Sequence, residues 1–401
     1  MIERKPLLSV DQALDFLLQA VRPLKEFETL PTMQALGRYL AQEQVSLLDV
    51  PPMDNTQMDG YAVRAADCAI GPARLQVTQR IPAGQIGYPL LAGTAARIFT
   101  GAMIPPGADA VVMQEQCVAD EDEVVVKHVP KAGEWIRRRG EDIKAGATIL
   151  SAGTKLGAAE LGLAASVGLA SLPVLRKLKV AVFFTGDELA MPGEELKPGA
   201  IYNSNRFTLT GLLQSMGCEV TDFGIVPDTL AATRETLRKA AQGHDLIVTS
   251  GGVSVGEEDH VRPAVEAEGR LNMWQIAVKP GKPLAFGEVG EAFFMGLPGN
   301  PVSSFVTFLL FVRPFILRMQ GVTDVAPKAY AVRADFDWLK ADRRQEYLRV
   351  RLNVDGGLDL FANQSSGVLS SAVWGDGLVE VKAGQLVNAG QLVRFLPFST
   401  F

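Results

Sequence analysis

Between residues 177 and 320, short apolar runs alternate with segments of helical period, and this alternation constrains the fold more than any other feature of the chain. Residues 179–184 read as a buried strand, 205–216 as a helix, 219–226 as a strand, 230–241 as a helix, and 245–249 as a strand ending in a glycine-rich turn. Near-continuous apolar strands separated by helix-length segments are what a parallel sheet covered on both faces requires. The expected centre is therefore a doubly wound α/β unit over residues 177–326.

The flanks read differently. Ser9 can cap a first helix whose Ala13, Leu14, Leu17, Leu18 and Val21 share one face before Pro23. A second helix is expected over 32–44, and another over 157–168. From 45 to 146 the texture is of short β-like runs, such as 97–100, 110–114 and 123–128, broken by glycine and proline. Beyond 321 the runs 330–334, 347–352 and 392–396 predict a compact β barrel over 327–401. At 401 residues the chain is long enough for several such units.

Composition narrows the function. A formal net charge of −6 argues against a nucleic-acid binder with a general positive field. Any anionic ligand must be held by local groups. No apolar run reaches the roughly 18 residues of a membrane span; the densest, 302–317, is interrupted by Ser303, Ser304, Arg313 and Pro314. Residues 1–10 lack the apolar stretch of a leader, so a cytoplasmic protein is expected. Cys68, Cys117 and Cys218 are too few and too scattered for a disulfide framework, and His128, His244 and His260 have no zinc spacing.

Three predicted strand ends carry unusual sequence: Thr185-Gly186-Asp187-Glu188-Leu189, Ser250-Gly251-Gly252-Val253-Ser254-Val255-Gly256, and Leu297-Pro298-Gly299-Asn300-Pro301-Val302-Ser303-Ser304, which opens a helix. Any one of these reads as an ordinary turn or helix start. Together at one sheet edge they predict an oxyanion or phosphate site, because ligands of open α/β sheets bind beyond the carboxyl ends of the strands. Lys279-Pro280-Gly281-Lys282-Pro283 can aim two ammonium groups at one point, and Arg137-Arg138-Arg139 stands directly before Gly140-Glu141-Asp142. Asp54, Asp59, Asp142, Glu188, Asp228 and Asp259 all lie in turns, a pattern that suits Mg²⁺ better than zinc. Asp54 alone reads better as a turn or cap carboxylate.

In order and spacing these segments form one pattern. Asp54-Asn55-Thr56-Gln57-Met58-Asp59-Gly60-Tyr61-Ala62 resembles the signature of the MoeA family, the molybdopterin molybdenumtransferases, whose eukaryotic relative is the E domain of gephyrin. The resemblance continues through Arg97-Ile98-Phe99-Thr100-Gly101-Ala102, Ala108-Asp109-Ala110-Val111-Val112, the arginine segment, the three strand-end loops and the two-lysine turn. Met53, Thr56 and His260 depart from the usual Phe, Ser and Tyr.

The resemblance implies an elongated homodimer. Each subunit would have a linking unit (1–44 and 147–176), a β-rich insertion (45–146), a central unit similar to molybdopterin adenylyltransferase, and the C-terminal barrel. It implies adenylated molybdopterin and molybdate as substrates, with AMP released. Asp59, Asp142, Glu188, Asp228 and Asp259 would hold Mg²⁺ across the dimer, with Thr100 and Arg137 lining the same cleft. Ser250, Gly251, Gly252, Ser254 and Gly256 would cradle phosphate. Lys279, Lys282, Pro298, Asn300, Pro301, Ser303, Arg344 (in Arg344-Gln345-Glu346-Tyr347) and Ser366 (in Asn363-Gln364-Ser365-Ser366-Gly367) would meet molybdate. Implied partners are a molybdopterin adenylyltransferase and molybdoenzyme maturation proteins. The competing readings are an adenylyltransferase, whose glycine loop usually runs Thr-Gly-Gly-Thr-Gly, and a pterin-holding scaffold without turnover.

Overall fold

The computed structural model describes residues 7–253 and 260–401. Its centre is a six-stranded sheet with, from one edge to the other, Glu219–Val226, Lys179–Thr185, Leu246–Ser250, Ala292–Leu297, Pro283–Val289 and Gly269–Gln275. The first four strands are parallel, as expected. The last two are antiparallel, so the sheet is mixed and not wholly parallel. Pro283–Val289 and Ala292–Leu297 are joined only by Gly290 and Glu291, far too short a link for the crossover that a parallel pair needs.

Strand period 2 divides the core between the two faces. Val180, Val182 and Phe184 pack with the helices Ser204–Ser215 and Pro301–Thr307, whereas Ala181 and Phe183 pack with Leu230–Ala240 and Val261–Glu268. The first helix, Val10–Ala20, starts in a capping box: Gln12 N–H donates to Ser9 Oγ at 3.1 Å, and Ser9 N–H to Gln12 Oε1 at 3.0 Å. Its Val10, Ala13 and Leu17 enter the central core. The helix, expected with the linking unit of 1–44, thus packs on the α/β layer. Leu8 bridges to Ile276, and that contact anchors the helix on the α/β layer.

The apolar run 302–317 folds as one helix from Pro301 to Met319. Pro301–Thr307 is followed by a π-helical turn at Phe308–Val312 and then by Arg313–Met319. Pro314, expected to interrupt the run, sits in the first turn after the π segment, where its missing N–H is tolerated. By length and composition this helix could cross a membrane, but 72% of its apolar window is buried within the molecule, which makes it a core helix.

The linking unit pairs Phe27–Pro31 antiparallel with Ser171–Leu175 beside the helix Ala158–Ser166. The helix expected over 32–44 does not form; only a single 3₁₀ turn, Thr32–Gln34, appears. Gly37 turns the chain at φ +75°, after which Tyr39 and Leu40 bridge in extended form to Lys155 and Val174. Tertiary pairing of Leu40 overrides the local helical pattern.

Gln44–Val45 pairs with Thr148–Leu150 where the chain leaves for and returns from the β-rich unit. That unit is a six-stranded sheet ordered Ala110–Met113, Gly60–Val63, Thr94–Ile98, Ala73–Ile81, Glu123–Val126, Cys117–Asp120. In the C-terminal region Gln345–Leu352, Gly377–Val381, Leu392–Pro397 and Tyr330–Arg333 pair in succession. Leu358–Leu360 lies on Gln345–Leu352, and Leu358 bridges back to Ala334. The central chain joins this sheet directly: Val278–Lys279 runs parallel to Gln345–Glu346.

Candidate active site

Three loops meet at the carboxyl ends of the parallel strands. Ser250 Oγ donates to the Pro298 carbonyl at 2.9 Å, and Gly251 N–H donates to Leu297 O at 3.1 Å. Asn205, in the first turn of Ser204–Ser215, donates from one amide nitrogen to Ser250 Oγ at 2.8 Å and to Gly299 O at 2.7 Å. The glycines are sterically required. At Gly252, φ is +63° and a Cβ would lie 2.6 Å from Val261 Cγ2 and 2.9 Å from Thr185 Oγ1. Gly281, at φ +96°, is pressed against the helix that the third loop opens, where a Cβ would lie 2.8 Å from Thr307 Oγ1 and 3.4 Å from Ser303 Cβ. The two-lysine turn is therefore seated directly on the third loop.

These elements enclose a cleft of about 650 Å³. Glu188, Gly251 and Gly252 line it from the first two strand ends, and Pro298, Asn300 and Ser303 from the third. Lys279 and Lys282 come from the turn, Arg344 and Ser366 from the C-terminal region. Ser366 is held by its carbonyl, which accepts from Val302 N–H at 2.9 Å. Ser250 and Pro301 stand behind the wall. Ser250 is buried and links two of the loops, and Pro301 is the first residue of the helix. Ser254, Gly256 and Asp259 lie outside the described residues.

Two cations of the cleft are paired with carboxylates. Lys279 Nζ lies 2.6 Å from Glu346 Oε1 and 3.6 Å from Asp342 Oδ2, and Arg344 Nη2 lies 3.0 Å from Asp342 Oδ2. Hydrogen bonds from the Arg344 side chain hold the Asp342 carboxyl far below the usual carboxylate range. Lys282 has no carboxylate within salt-bridge distance among the described residues and is exposed.

Sequence reasoning missed Arg349, whose side chain is 1% exposed. It bonds to neutral groups only: Ser371 Oγ at 3.0 Å, Tyr347 O at 3.3 Å and Ser365 O at 3.3 Å. Burial pushes its guanidinium down to about 10. Together with Gln364, which accepts from Arg349 N–H at 2.9 Å, it fixes the loop that carries Ser366. The alternation of Leu348 and Val350 with Arg349 and Arg351 gave no signal, since it puts Arg349 on the polar face of the strand.

A second cluster lies on the β-rich unit, apart from the residues that line the cleft. Asp59 Oδ1 accepts from Thr100 N–H at 2.8 Å and from Thr100 Oγ1 at 2.7 Å. The Thr100 backbone bond, then its hydroxyl, lower the Asp59 carboxyl below its ordinary value. Arg137 is exposed on a short strand paired with Asn55–Thr56, and Asp142 is exposed after its N–H donates to Val50 O. Of the acidic residues that follow the three arginines, Glu141 meets the Arg138 N–H, which donates to Glu141 Oε2 at 2.7 Å; the Arg138 and Arg139 side chains turn elsewhere. Arg138 Nη1 reaches Asp54 and Arg139 Nε reaches Asp49, each at 2.6 Å, because the chain folds 49–54 back across them. Asp54 thus clamps Arg138 and the Arg139 N–H.

Asp228 follows the Glu219–Val226 strand on the central unit, and His260 precedes the helix Val261–Glu268 without capping it. Among the described residues of one chain, no three His, Cys, Asp or Glu side chains gather to hold a metal. The carboxylates expected to bind Mg²⁺ are divided between two units.

A glycine-built cleft at a strand-order switch, walled by lysines and completed by a C-terminal sheet, defines a multi-unit α/β protein with an anion-binding centre. Comparison with known proteins resolves this class further. Residues 8–168 match the MoeA N-terminal region (domain I and II), 181–318 a probable molybdopterin binding domain, and 331–398 the MoeA C-terminal region (domain IV). A molybdopterin molybdenumtransferase of Haemophilus influenzae is 40% identical over 98% of this chain and 99% of its own length. One of Nostoc sp. is 36% identical over 98% and 94%. A crystal structure of a molybdopterin biosynthesis moeA protein from Pyrococcus horikoshii, 30% identical, covers 98% of this chain and 100% of its own with a TM-score of 0.86. The chain belongs to the MoeA family of molybdopterin molybdenumtransferases.

Proposed function

We propose that this chain is a molybdopterin molybdenumtransferase of molybdenum cofactor biosynthesis, taking adenylated molybdopterin and molybdate and releasing AMP. One observation carries the reading: the three strand-end loops, the 279–283 turn and the C-terminal Arg344 and Ser366 converge on a single cleft. Small residues at 251 and 252 let a phosphate approach the backbone, and the ammonium of Lys282 supplies positive charge. Molybdate, a tetrahedral oxyanion, calls for donors of the kind that Lys279, Lys282, Arg344 and Ser366 provide. Thr100 would orient Asp59, and Arg137 and Asp142 would stand on the same face of the β-rich unit.

On this reading the working unit is a homodimer in the cytoplasm, with Asp59 and Asp142 of one copy facing Glu188, Asp228 and Asp259 of the other. Support comes from the division of these acids between two units, neither of which gathers three of them among the described residues. Mg²⁺ held between the two sets would neutralise charge on the phosphoanhydride. The free cysteines at 68, 117 and 218 fit a reducing compartment. The reading divides the chain into linking (1–44 and 147–176), β-rich (45–146), central (177–326) and C-terminal (327–401) units, with the Val10–Ala20 helix packed on the central one. The last unit is a small barrel, supported by the Ala334–Leu358 bridge.

Single-turnover AMP release from adenylated molybdopterin, with and without molybdate and Mg²⁺, tests the reading. Release that requires both ions supports it. Retention of pterin without release favours a holding role, and consumption of ATP an adenylyltransferase.

A further inference from the structure

The cleft carries its own counter-charges. Lys279 and Glu346 are register partners in the parallel pairing of Val278–Lys279 with Gln345–Glu346, so their contact is enforced by the backbone across two units of the chain. Glu346 is 2% exposed, and its second oxygen accepts from Trp338 Nε1 at 2.9 Å, which leaves the carboxylate no freedom to turn away. Asp342 holds Arg344 by two side-chain hydrogen bonds, to Nε at 3.1 Å and to Nη2 at 3.0 Å, and also accepts from Arg344 N–H. Neither carboxylate lines the cleft; both lie behind cations that do. An entering dianion must therefore compete with charges already in place.

We propose that Glu346 is a positioning residue that keeps the affinity of this cleft for free tetrahedral dianions low, holding Lys279 as a paired cation so that the bound oxyanion can be handed on. The proposal rests on the oxyanion reading of the cleft. Its physical basis is that ground-state binding does not by itself accelerate transfer, and an oxyanion gripped by unpaired lysines would have that grip to break. A buried carboxylate in contact with the lysine offsets the local positive potential while fixing where the ammonium stands.

The test is calorimetric titration of the full chain with sodium molybdate and with sodium sulfate, in the absence of pterin. Glu346→Gln preserves the shape and an acceptor for Trp338 but removes the charge. It should bind both dianions more tightly, on the order of tenfold, with a steeper dependence on ionic strength. Asp342→Asn, at a more accessible position, should shift affinity in the same direction by less. In turnover with adenylated pterin, the KM for molybdate should fall in Glu346→Gln without a rise in kcat. Unchanged or weaker dianion affinity in folded Glu346→Gln and Asp342→Asn would overturn the proposal. Failure of the wild type and of every variant to bind either anion would instead overturn the oxyanion reading on which it rests.

Discussion

At the strand ends of the central sheet, the loop framework is tied together by hydrogen bonds within the same chain. Ser250, Asn205, Gly251 and Pro298 tie the loops together, and Glu346 and Asp342 hold the cations. On the β-rich unit the candidate side chains are presented outward: Arg137 and Asp142 are exposed, and Asp59 is held by Thr100 alone. The first region is a cleft framed by contacts within one chain, whereas the second presents oriented side chains to its outside. On the proposed function, binding and chemistry are divided between this cleft and an outward face that a partner copy would complete.

The sharpest way to break this contrast is Asp59→Ala. If the outward face carries chemistry, AMP release should fall by roughly 100-fold or more while thermal unfolding changes only slightly, because among the described residues the Asp59 side chain hydrogen-bonds to Thr100 alone. Next is Gly252→Ala, which forces a Cβ into Val261 at a positive φ. Thermal or denaturant unfolding should show a loss of about 1–3 kcal/mol, together with weaker pterin binding. An unaltered unfolding midpoint would mean that the cleft is not rigid.

A subtler probe is Thr100→Val. Thr100 depresses the Asp59 carboxyl, so the stability it contributes is complete above the unfolded value near ~3.9 and is lost as pH falls through the lower folded value. The valine variant should move the acid limb of the pH–rate profile upward, and an unmoved limb would separate Thr100 from Asp59. The smallest effect should be Ser9→Ala, which removes a helix cap and costs about 1 kcal/mol in denaturant unfolding with no change in AMP release.

Much of the fold was legible because local pattern and burial agree. The Glu219–Val226 strand falls where its apolar rhythm puts it, and the parallel strands and their helices fall within a residue or so of expectation. The expected helix at 32–44 was illegible as a β-bridged loop, because the deciding interaction, Leu40 with Val174, comes from a segment more than a hundred residues away. The same holds within the site. Glycines and prolines at strand ends announce themselves through backbone demands. Nothing in Lys279 or Arg344 reveals that a carboxylate will neutralise it, and Arg349 reads as any basic residue of a strand until its burial is known.

The sequence by itself determined the α/β centre, the anion-friendly loops and the family, since apolar period and glycine placement are local properties of the chain. Only the tertiary structure decided which charges meet. It brought Glu346 beside Lys279, Asp54 and Asp49 onto the arginines, and the first helix onto the central core. The physical reason is range. Backbone preference acts over a few residues, whereas an ion pair depends on where two distant segments come to rest, and that is settled by the packing of the whole molecule.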